Sequence, residues 1–187
     1  MVAKIDLKSV AAAGVLAAAA LGLAASGLAA DAPKNLPKKP GHHFSFAGKR
    51  PSFRQEGTTK SDVAVSSEDS QGLLTLQDEI WYPTFAVTPH FHKTHNEVFY
   101  VISGRVEWTV GGETHAMSAG DSVYIPANTV HSVKVLDGKN AHMLMIYNPG
   151  GYEEHMAREE AYTLEQLKDT KLRDELRKLN DFHPLEK

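Results

Sequence analysis

The residues most able to do chemistry in this sequence are two closely spaced histidines, a glutamate and a third histidine. They are His90, His92, Glu97 and His131. One residue separates His90 from His92, so on a β-strand both side chains point to one face, because strand side chains alternate with period two. Glu97 and His131 each begin a further β-prone run. Three imidazoles and one carboxylate brought together from adjacent strands predict a four-ligand metal site that leaves room for water or substrate.

Turn residues around these four side chains distinguish them from scattered surface histidines, which a chain with 10 His also allows. The pattern is His90-x-His92-x4-Glu97-x6-Gly104, followed by Gly120-x5-Pro126-x4-His131. These two blocks resemble the two motifs of the cupin superfamily. The chain departs from the superfamily pattern at three positions that are not ligands, where it has Thr84, Asn128 and Val135. Asn tolerates the left-handed backbone that Gly would supply, so the change at Asn128 is mild.

The resemblance implies an all-β fold, a double-stranded β-helix or jelly-roll barrel, and the periodicity of residues 42–150 favours the same architecture. Short β-rich runs separated by turn residues are typical of a double-sheet jelly roll. Gly111-Gly112 predicts a two-residue hairpin turn, because such a turn needs positive φ. The predicted strands include 63–65, 73–76, 97–102, 105–110, 121–125, 131–135 and 143–147.

The first 41 residues predict export followed by a linker. Lys4 and Lys8 precede a small apolar run that ends in small residues, which is typical of a secretory signal peptide over residues 1–30. An uncleaved membrane anchor is the alternative, since the run approaches the ~20 residues that span a bilayer. We expect cleavage, a periplasmic or secreted protein and no stable membrane association afterwards. An exported protein that retains Met1 would contradict this. Residues 31–41 are rich in Pro and Lys and predict an extended linker.

The C-terminal residues 151–187 predict a helical tail on the barrel. Thr163 and Gln166 have the spacing of a capping box, and leucines follow at approximately helical spacing. The predicted fold is therefore a β-barrel with a C-terminal helix, packed on the outside of the barrel or on a second subunit. The leucines are Leu164, Leu167, Leu172, Leu176 and Leu179.

Charge and composition narrow the class of partner. The formal net charge is −3, and no basic cluster stands out, which argues against nucleic acid or an anionic membrane as the ligand. The chain has no cysteine, so its fold contains no disulfide. A small molecule is the expected partner. Strand alternation places Phe99, Val101, Val133 and Val135 inside the barrel with the ligands, and Val98, Tyr100 and Ile102 on the other face. This predicts an apolar pocket suited to an aromatic or hydrophobic compound.

Among cupins, the sequence is most similar to the small single-domain quercetin-dioxygenase-like proteins. The segment Asn148-Pro149-Gly150-Gly151-Tyr152-Glu153 is similar to the one that follows the barrel in that family. The resemblance implies one divalent transition metal (Fe, Mn, Ni, Co or Cu) held by His90, His92, Glu97 and His131. It also implies O₂ and an aromatic or enolic substrate, with Glu97 acting as catalytic base. Two alternatives stay open: a non-oxygenase metal-dependent isomerase or lyase, and a non-catalytic exported protein that holds a metal or small molecule.

His95 is a further candidate, either as a base near the metal or as an exchangeable ligand, although its position predicts a solvated turn. The remaining histidines, at positions 42, 43, 115, 142, 155 and 183, lack ligand spacing with the predicted site.

We expect a homodimer, because exposed sheet edges are a liability that proteins cover. The β-prone segment 44–46 and the leucine stripe of the tail are the expected covering elements. Light scattering at micromolar concentration should give twice the mass of the chain, and a monomer mass would contradict the prediction.

Overall fold

A computed structural model describes residues 42–55, 57–163 and 165–185. The predicted signal peptide (1–30), the predicted linker (31–41) and Leu164 of the predicted leucine stripe lie outside the described residues. Among the helices of the described ranges, none is long and apolar enough to cross a membrane.

The described chain consists mainly of β-strands in two antiparallel sheets. The strands are β1 (Ser52–Gln55), β2 (Thr59–Val65), β3 (Thr75–Trp81), β4 (Ala86–Phe91), β5 (Asn96–Ser103), β6 (Arg105–Val110), β7 (Glu113–Ser118), β8 (Ser122–Ile125), β9 (His131–Val135), β10 (Ala141–Asn148) and β11 (His183–Pro184). One sheet has the order β1-β2-β3-β10-β5-β8 and the other the order β11-β4-β9-β6-β7. This confirms the predicted all-β jelly roll.

The core lies between the two sheets and is built by period-two alternation. On β5, Glu97, Phe99 and Val101 are buried while Tyr100 is exposed, so the predicted inward and outward faces are confirmed. β3 and β10 alternate in the same way. Trp81, Trp108 and Phe99 contact one another inside one apolar cluster that draws on both sheets. The metal-site residue Glu97 therefore shares a buried face with the largest side chains of the core.

The turns that close the strands follow the sequence. Gly111 and Gly112 join β6 to β7 with φ of 59° and 92°, as the predicted two-residue hairpin requires. Asn128 has φ of 64°, which confirms that this residue adopts the left-handed conformation. Gly104, between β5 and β6, has φ of 83°, and a Cβ built there would lie 2.4 Å from the carbonyl oxygen of Asn140. Gly104 is thus required both by its backbone angle and by a close approach of the chain.

The helices differ from the predicted single tail helix. They are α1 (Ser67–Ser70), α2 (Glu153–Glu160) and α3 (Thr170–Leu179), with a 3₁₀ turn at Gln166–Lys168. The predicted capping box is present, since Gln166 N–H donates to the Thr163 hydroxyl and Thr163 N–H donates to the Gln166 side chain. It begins only the 3₁₀ turn, because the Asp169 side chain caps α3 separately by accepting from the N–H of Lys171.

The prediction that the tail leucines form one packed face is only partly confirmed. Leu176 is buried, but Leu179 is 68 % exposed. The proposed covering segment is also not a strand: Phe44 and Phe46 lie in an irregular, exposed stretch. After α3 the chain returns to the barrel, where β11 pairs with β4 and His183 lies opposite Phe91. The tail therefore lies across the end of the barrel that holds His90, instead of packing only on its outer surface.

The close approach at Gly104 gives a test with a matched control. Gly112→Ala should cost about 1–2 kcal/mol of unfolding free energy, because alanine is strained at positive φ. Gly104→Ala should cost about 1–3 kcal/mol more, because its methyl group must also displace backbone atoms of Asn140 and Ala141. Urea unfolding measures both values. Equal losses would show that the chain does not approach Gly104 as closely as described.

Candidate metal centre

The four predicted ligands lie together in the barrel, but they do not come from three adjacent strands as predicted, because β4 and β9 are neighbours in one sheet and β5 belongs to the other. His90 is on β4, His92 follows the end of that strand, Glu97 is on β5 and His131 begins β9. All four are at most 5 % exposed. His90 and His131 are paired across β4 and β9, and one ring nitrogen from each of the three histidines lies within 4.8 Å of the others. The structure thus brings together the whole predicted set.

The hydrogen bonds of the three histidines fix which ring nitrogen faces the centre. Nδ1 of His90 lies 2.9 Å from the carbonyl oxygen of Thr88, and Nδ1 of His131 lies 2.9 Å from that of Thr129. Nδ1 of His92 lies 2.8 Å from the carbonyl oxygen of Asp181. A carbonyl oxygen only accepts, so each Nδ1 carries the proton and donates it. In the neutral ring the Nε2 lone pair is then available to a metal.

Glu97 faces two of these Nε2 atoms. Its Oε1 lies 3.3 Å from Nε2 of His92, and its Oε2 lies 3.0 Å from Nε2 of His131. Oε2 makes no geometrically acceptable hydrogen bond within the described residues, although it is fully buried. A buried carboxylate oxygen aimed at imidazole nitrogens without a proper hydrogen bond is the arrangement expected when a cation belongs between them.

The electrostatics of the pocket favour a charged Glu97 and a neutral His90, whereas they favour the protonated form of His92. Burial acts to raise the pKa of Glu97, but the imidazoles of His131 and His92 outweigh it and lower that pKa to about 2. Burial, with His131 and His92 beside it, lowers the pKa of His90 to about 3. Burial acts to lower the pKa of His92, but the Glu97 carboxylate raises it overall. At neutral pH Glu97 is therefore an anion and His90 a neutral ligand before any metal arrives.

These observations fit a metal. Three imidazoles and one carboxylate form a mixed nitrogen and oxygen donor set that suits the divalent transition metals from Mn to Cu, and metal binding would displace any proton from Nε2 of His92. Each Nδ1–H is held by a carbonyl, which orients the ring and raises the basicity of Nε2. The described residues contain one group of this kind at His90, His92 and His131, and a second group at His92, His95 and Asp181.

Asp181 holds the C-terminal tail to the metal centre and was not predicted. Its carboxylate accepts hydrogen bonds from the backbone N–H groups of Lys93 and Thr94, at 3.0 and 2.7 Å. The same carboxylate lies 3.0 Å from Nδ1 of His95 and 3.0 Å from Nε2 of His183. The Asp181 backbone carbonyl in turn accepts a hydrogen bond from the Nδ1–H group of His92. Asp181 therefore couples the position of the tail to the orientation of a predicted ligand.

His95 and His183 differ from their sequence interpretations. His95 is bonded to Asp181 and half-buried in the turn, and it does not line the cavity beside the four ligands. The spacing of His183 in the sequence did not predict a place near the site, but its side chain contacts Asp181, which in turn contacts His92 and His95. Phe182, which lies between Asp181 and His183 in the chain, stacks on the His90 ring with centroids 4.0 Å apart. The tail thus packs an aromatic ring on His90 and accepts the hydrogen bond that orients His92.

A cavity of about 330 Å³, at the lower end of the range for ligand pockets, is lined by three of the four ligands, His90, Glu97 and His131. Its wall is more polar than predicted. Val133 lines it, but Val135 packs in the core cluster, and titratable side chains of β3 and the tail helices reach the cavity. These include Glu79, His155, Glu159, Arg173 and Arg177. Glu79 could have been anticipated, because it shares the inward face of β3 with Trp81; the others depend on the long return of the tail.

Comparison with known proteins identifies the family. The model of the cupin domain matches residues 80–147. KdgF from Halomonas sp. has a similar structure, with a TM-score of 0.53 and 20% identity over 60% of this chain and 99% of that one. An RmlC-like cupin from Shewanella frigidimarina gives a TM-score of 0.52 and 20% identity over 61% of this chain and 96% of that one. Residues 80–147 of the chain are therefore a cupin domain, and the two solved structures share its fold.

Two relatives with named activities share sequence with part of this chain. Quercetin 2,3-dioxygenase of Bacillus subtilis (strain 168) is 32% identical over 99 residues, which is 53% of this chain and 26% of the relative. Quercetin 2,3-dioxygenase of Aspergillus japonicus is 33% identical over 73 residues, 36% of this chain and 21% of the relative. The matched regions thus span about a quarter of the length of these relatives or less.

We predict that the purified protein binds about one transition metal per chain, and that His92→Ala and His131→Ala each lose most of it. Each change removes one Nε2 donor from a four-ligand set. Elemental analysis after dialysis against excess metal and buffer measures the content. His115→Ala is the matched control, because His115 lies on β7 with a side chain 72% exposed. Equal metal retention in all three variants would exclude the site.

Proposed function

We propose that the protein is a metal-dependent dioxygenase that acts on an aromatic or enolic small molecule. The observation that carries the proposal is the convergence of three Nε2 atoms and the Glu97 carboxylate on a cavity walled by aromatic side chains. The likeness of the barrel to two quercetin 2,3-dioxygenases supports the reaction type. His90, His92, Glu97 and His131 would hold one divalent metal. We also propose that the reaction takes place outside the cytoplasm, where residues 1–30 would direct the chain.

The side chains divide the work between binding and proton transfer. A bound divalent metal supplies Lewis acidity, which stabilises the enolate form of the substrate. The Glu97 carboxylate accepts the proton of the enol or phenol oxygen, and it is already ionised at neutral pH. Trp81, Phe99 and Trp108 offer flat faces to an aromatic ring and exclude water from the reaction. Both atoms of O₂ would enter the product, so one O₂ is consumed for each substrate.

A second function is favoured by one observation. Glu79 lines the same cavity, and burial raises its pKa to about 7 although the Trp81 indole lowers it. A carboxyl group with a pKa near the working pH can both give and take a proton, which suits an isomerase or lyase that needs no oxidant. Turnover under strictly anaerobic conditions distinguishes this candidate from the dioxygenase, whose activity requires O₂.

The role of Glu97 is tested by Glu97→Gln. The amide can still coordinate through oxygen, but it cannot accept the substrate proton at neutral pH. We therefore expect metal-loaded Glu97→Gln to lose about 10²–10⁴-fold in kcat, the usual cost of removing a general base. O₂ uptake with a flavonol measures kcat, and metal analysis of the same sample separates lost chemistry from lost metal.

A near-normal kcat in metal-loaded Glu97→Gln would show that the base lies elsewhere. Glu79 would then replace it as the candidate, because Glu79 lines the cavity whereas His95 is bonded to Asp181 outside it.

A further inference from the structure

An aromatic wall runs from the metal centre into the barrel. The Trp108 ring lies 6.2 Å from His131 and 6.1 Å from Trp81, measured between centroids. Phe99 lies 4.4 Å from Trp108, and Phe85 stacks on Trp81 at 4.4 Å. These rings line the cavity. Flat ring faces that follow one another along the cavity wall favour a planar apolar ligand, which would extend from the metal centre along them.

Three polar side chains interrupt this wall, and each leaves a buried atom without a hydrogen-bond partner. Thr59, Glu79 and Trp108 all line the cavity and are at most 3% exposed. Thr59 Oγ1, Glu79 Oε1 and Trp108 Nε1 have no partner in the described ranges. Nearly all buried polar atoms in native proteins are paired. Three such atoms in one cavity wall indicate a place where a ligand supplies the partners.

The geometry of Glu79 shows what kind of partner is needed. Trp81 Nε1 donates to Glu79 Oε2 at 2.5 Å, which holds the carboxyl group in place. Oε1 makes no hydrogen bond of acceptable geometry within the described residues, although the Ser61 side chain lies opposite it on the neighbouring strand and acts to lower the pKa of Glu79. Trp108 Nε1–H can only donate, while the Thr59 hydroxyl can do both. Together the three offer at least one donor and one acceptor. Hydroxyl and carbonyl groups match this set, since a hydroxyl both gives and accepts and a carbonyl accepts from the indole.

The charge of the cavity disfavours a cationic ligand. Arg173 and Arg177 also line it, and their guanidinium groups would repel an ammonium group. Burial holds the Glu79 carboxyl group largely uncharged below neutral pH, which weakens its attraction for a cation. An uncharged polar group meets neither penalty.

We propose that Thr59, Glu79 and Trp108 form a polar subsite on the cavity wall beside the metal centre, which binds a hydroxyl or carbonyl group of an aromatic substrate. The substrate class is then a polyhydroxylated aromatic compound, with one set of oxygens at the metal and another at this subsite. The assignment rests on the proposed function for the aromatic substrate, and it adds the selection for hydroxyl groups that do not bind the metal.

Two flavonols can distinguish binding at the subsite from binding at the metal centre. Quercetin carries the 3-hydroxy-4-keto group that would face the metal and further hydroxyls on both ring systems; 3-hydroxyflavone carries only the former. Binding to the metal-loaded full chain is measured anaerobically by absorbance titration, so no turnover is required. The parent should bind quercetin more tightly. Thr59→Val, which keeps the shape of the side chain and removes its hydroxyl, should weaken quercetin binding about tenfold and leave 3-hydroxyflavone binding within about twofold. Trp108→Phe removes the indole N–H together with part of the ring face, so it should weaken the binding of both compounds, and that of quercetin more.

Two further substitutions test the third residue of the subsite and provide a control: Glu79→Gln, compared with Glu79→Met, and Thr114→Val outside the cavity. The Gln amide keeps both a donor and an acceptor, so Glu79→Gln should lose less quercetin affinity than Glu79→Met. Thr114 is exposed on β7 and bonded to Thr109, so Thr114→Val should match the parent with both compounds. Metal content and unfolding midpoint are measured for every variant, so a misfolded protein is recognised.

Each result bears on the assignment. Equal weakening of both flavonols, unchanged quercetin binding in Thr59→Val and Trp108→Phe, or a parent that binds neither compound would overturn the subsite. The dioxygenase proposal fails separately, if the metal-loaded parent binds quercetin but consumes no O₂. The selective loss in the variants would still be measurable in that case.

Discussion

The metal centre depends on three hydrogen bonds from imidazole Nδ1 atoms to backbone carbonyls. Without them each ring could rotate or exchange tautomers, and the three Nε2 lone pairs would not converge on Glu97. Two of the carbonyls, of Thr88 and Thr129, lie two residues before the histidine they orient, so the strand ends themselves preset His90 and His131. The third, of Asp181, comes from the far end of the chain. The third ligand is therefore correctly oriented only when the tail has returned to the barrel.

This return gives the tail a part in function as well as in stability. The Asp181 carboxylate binds the turn that follows His92, and Phe182 stacks on His90, so two adjacent tail residues contact two ligands. α2 and α3 then extend over the cavity and add Glu159, Arg173 and Arg177 to its wall. Burial raises the pKa of Glu159 to about 7, against the opposing effect of Arg177. The barrel supplies the metal ligands, whereas the tail sets much of the polarity that a substrate would meet.

The sequence predicted the barrel and the ligand set because both follow from local rules. Period-two alternation places Glu97, Phe99 and Val101 on one face, and the turn glycines mark where strands end. The role of Asp181 could not be predicted, because it depends on a contact between segments far apart in the chain. The capping box at Thr163 was recognised but begins only a 3₁₀ turn, since Asp169 offers a competing cap. Val135 was assigned to the pocket because inward-facing residues of a strand line either cavity or core, and alternation alone does not distinguish them.

The central claim is that a metal binds on the Nε2 side of His92, and anomalous diffraction from crystals of the metal-loaded protein tests it most directly. The described chain offers a rival position on the Nδ1 side, between His92, His95 and Asp181. We predict one anomalous peak about 2.0–2.2 Å from Nε2 of His90, His92 and His131 and from a Glu97 oxygen. A peak between His95 and Asp181, with His92 turned away from the Asp181 carbonyl, would contradict the account.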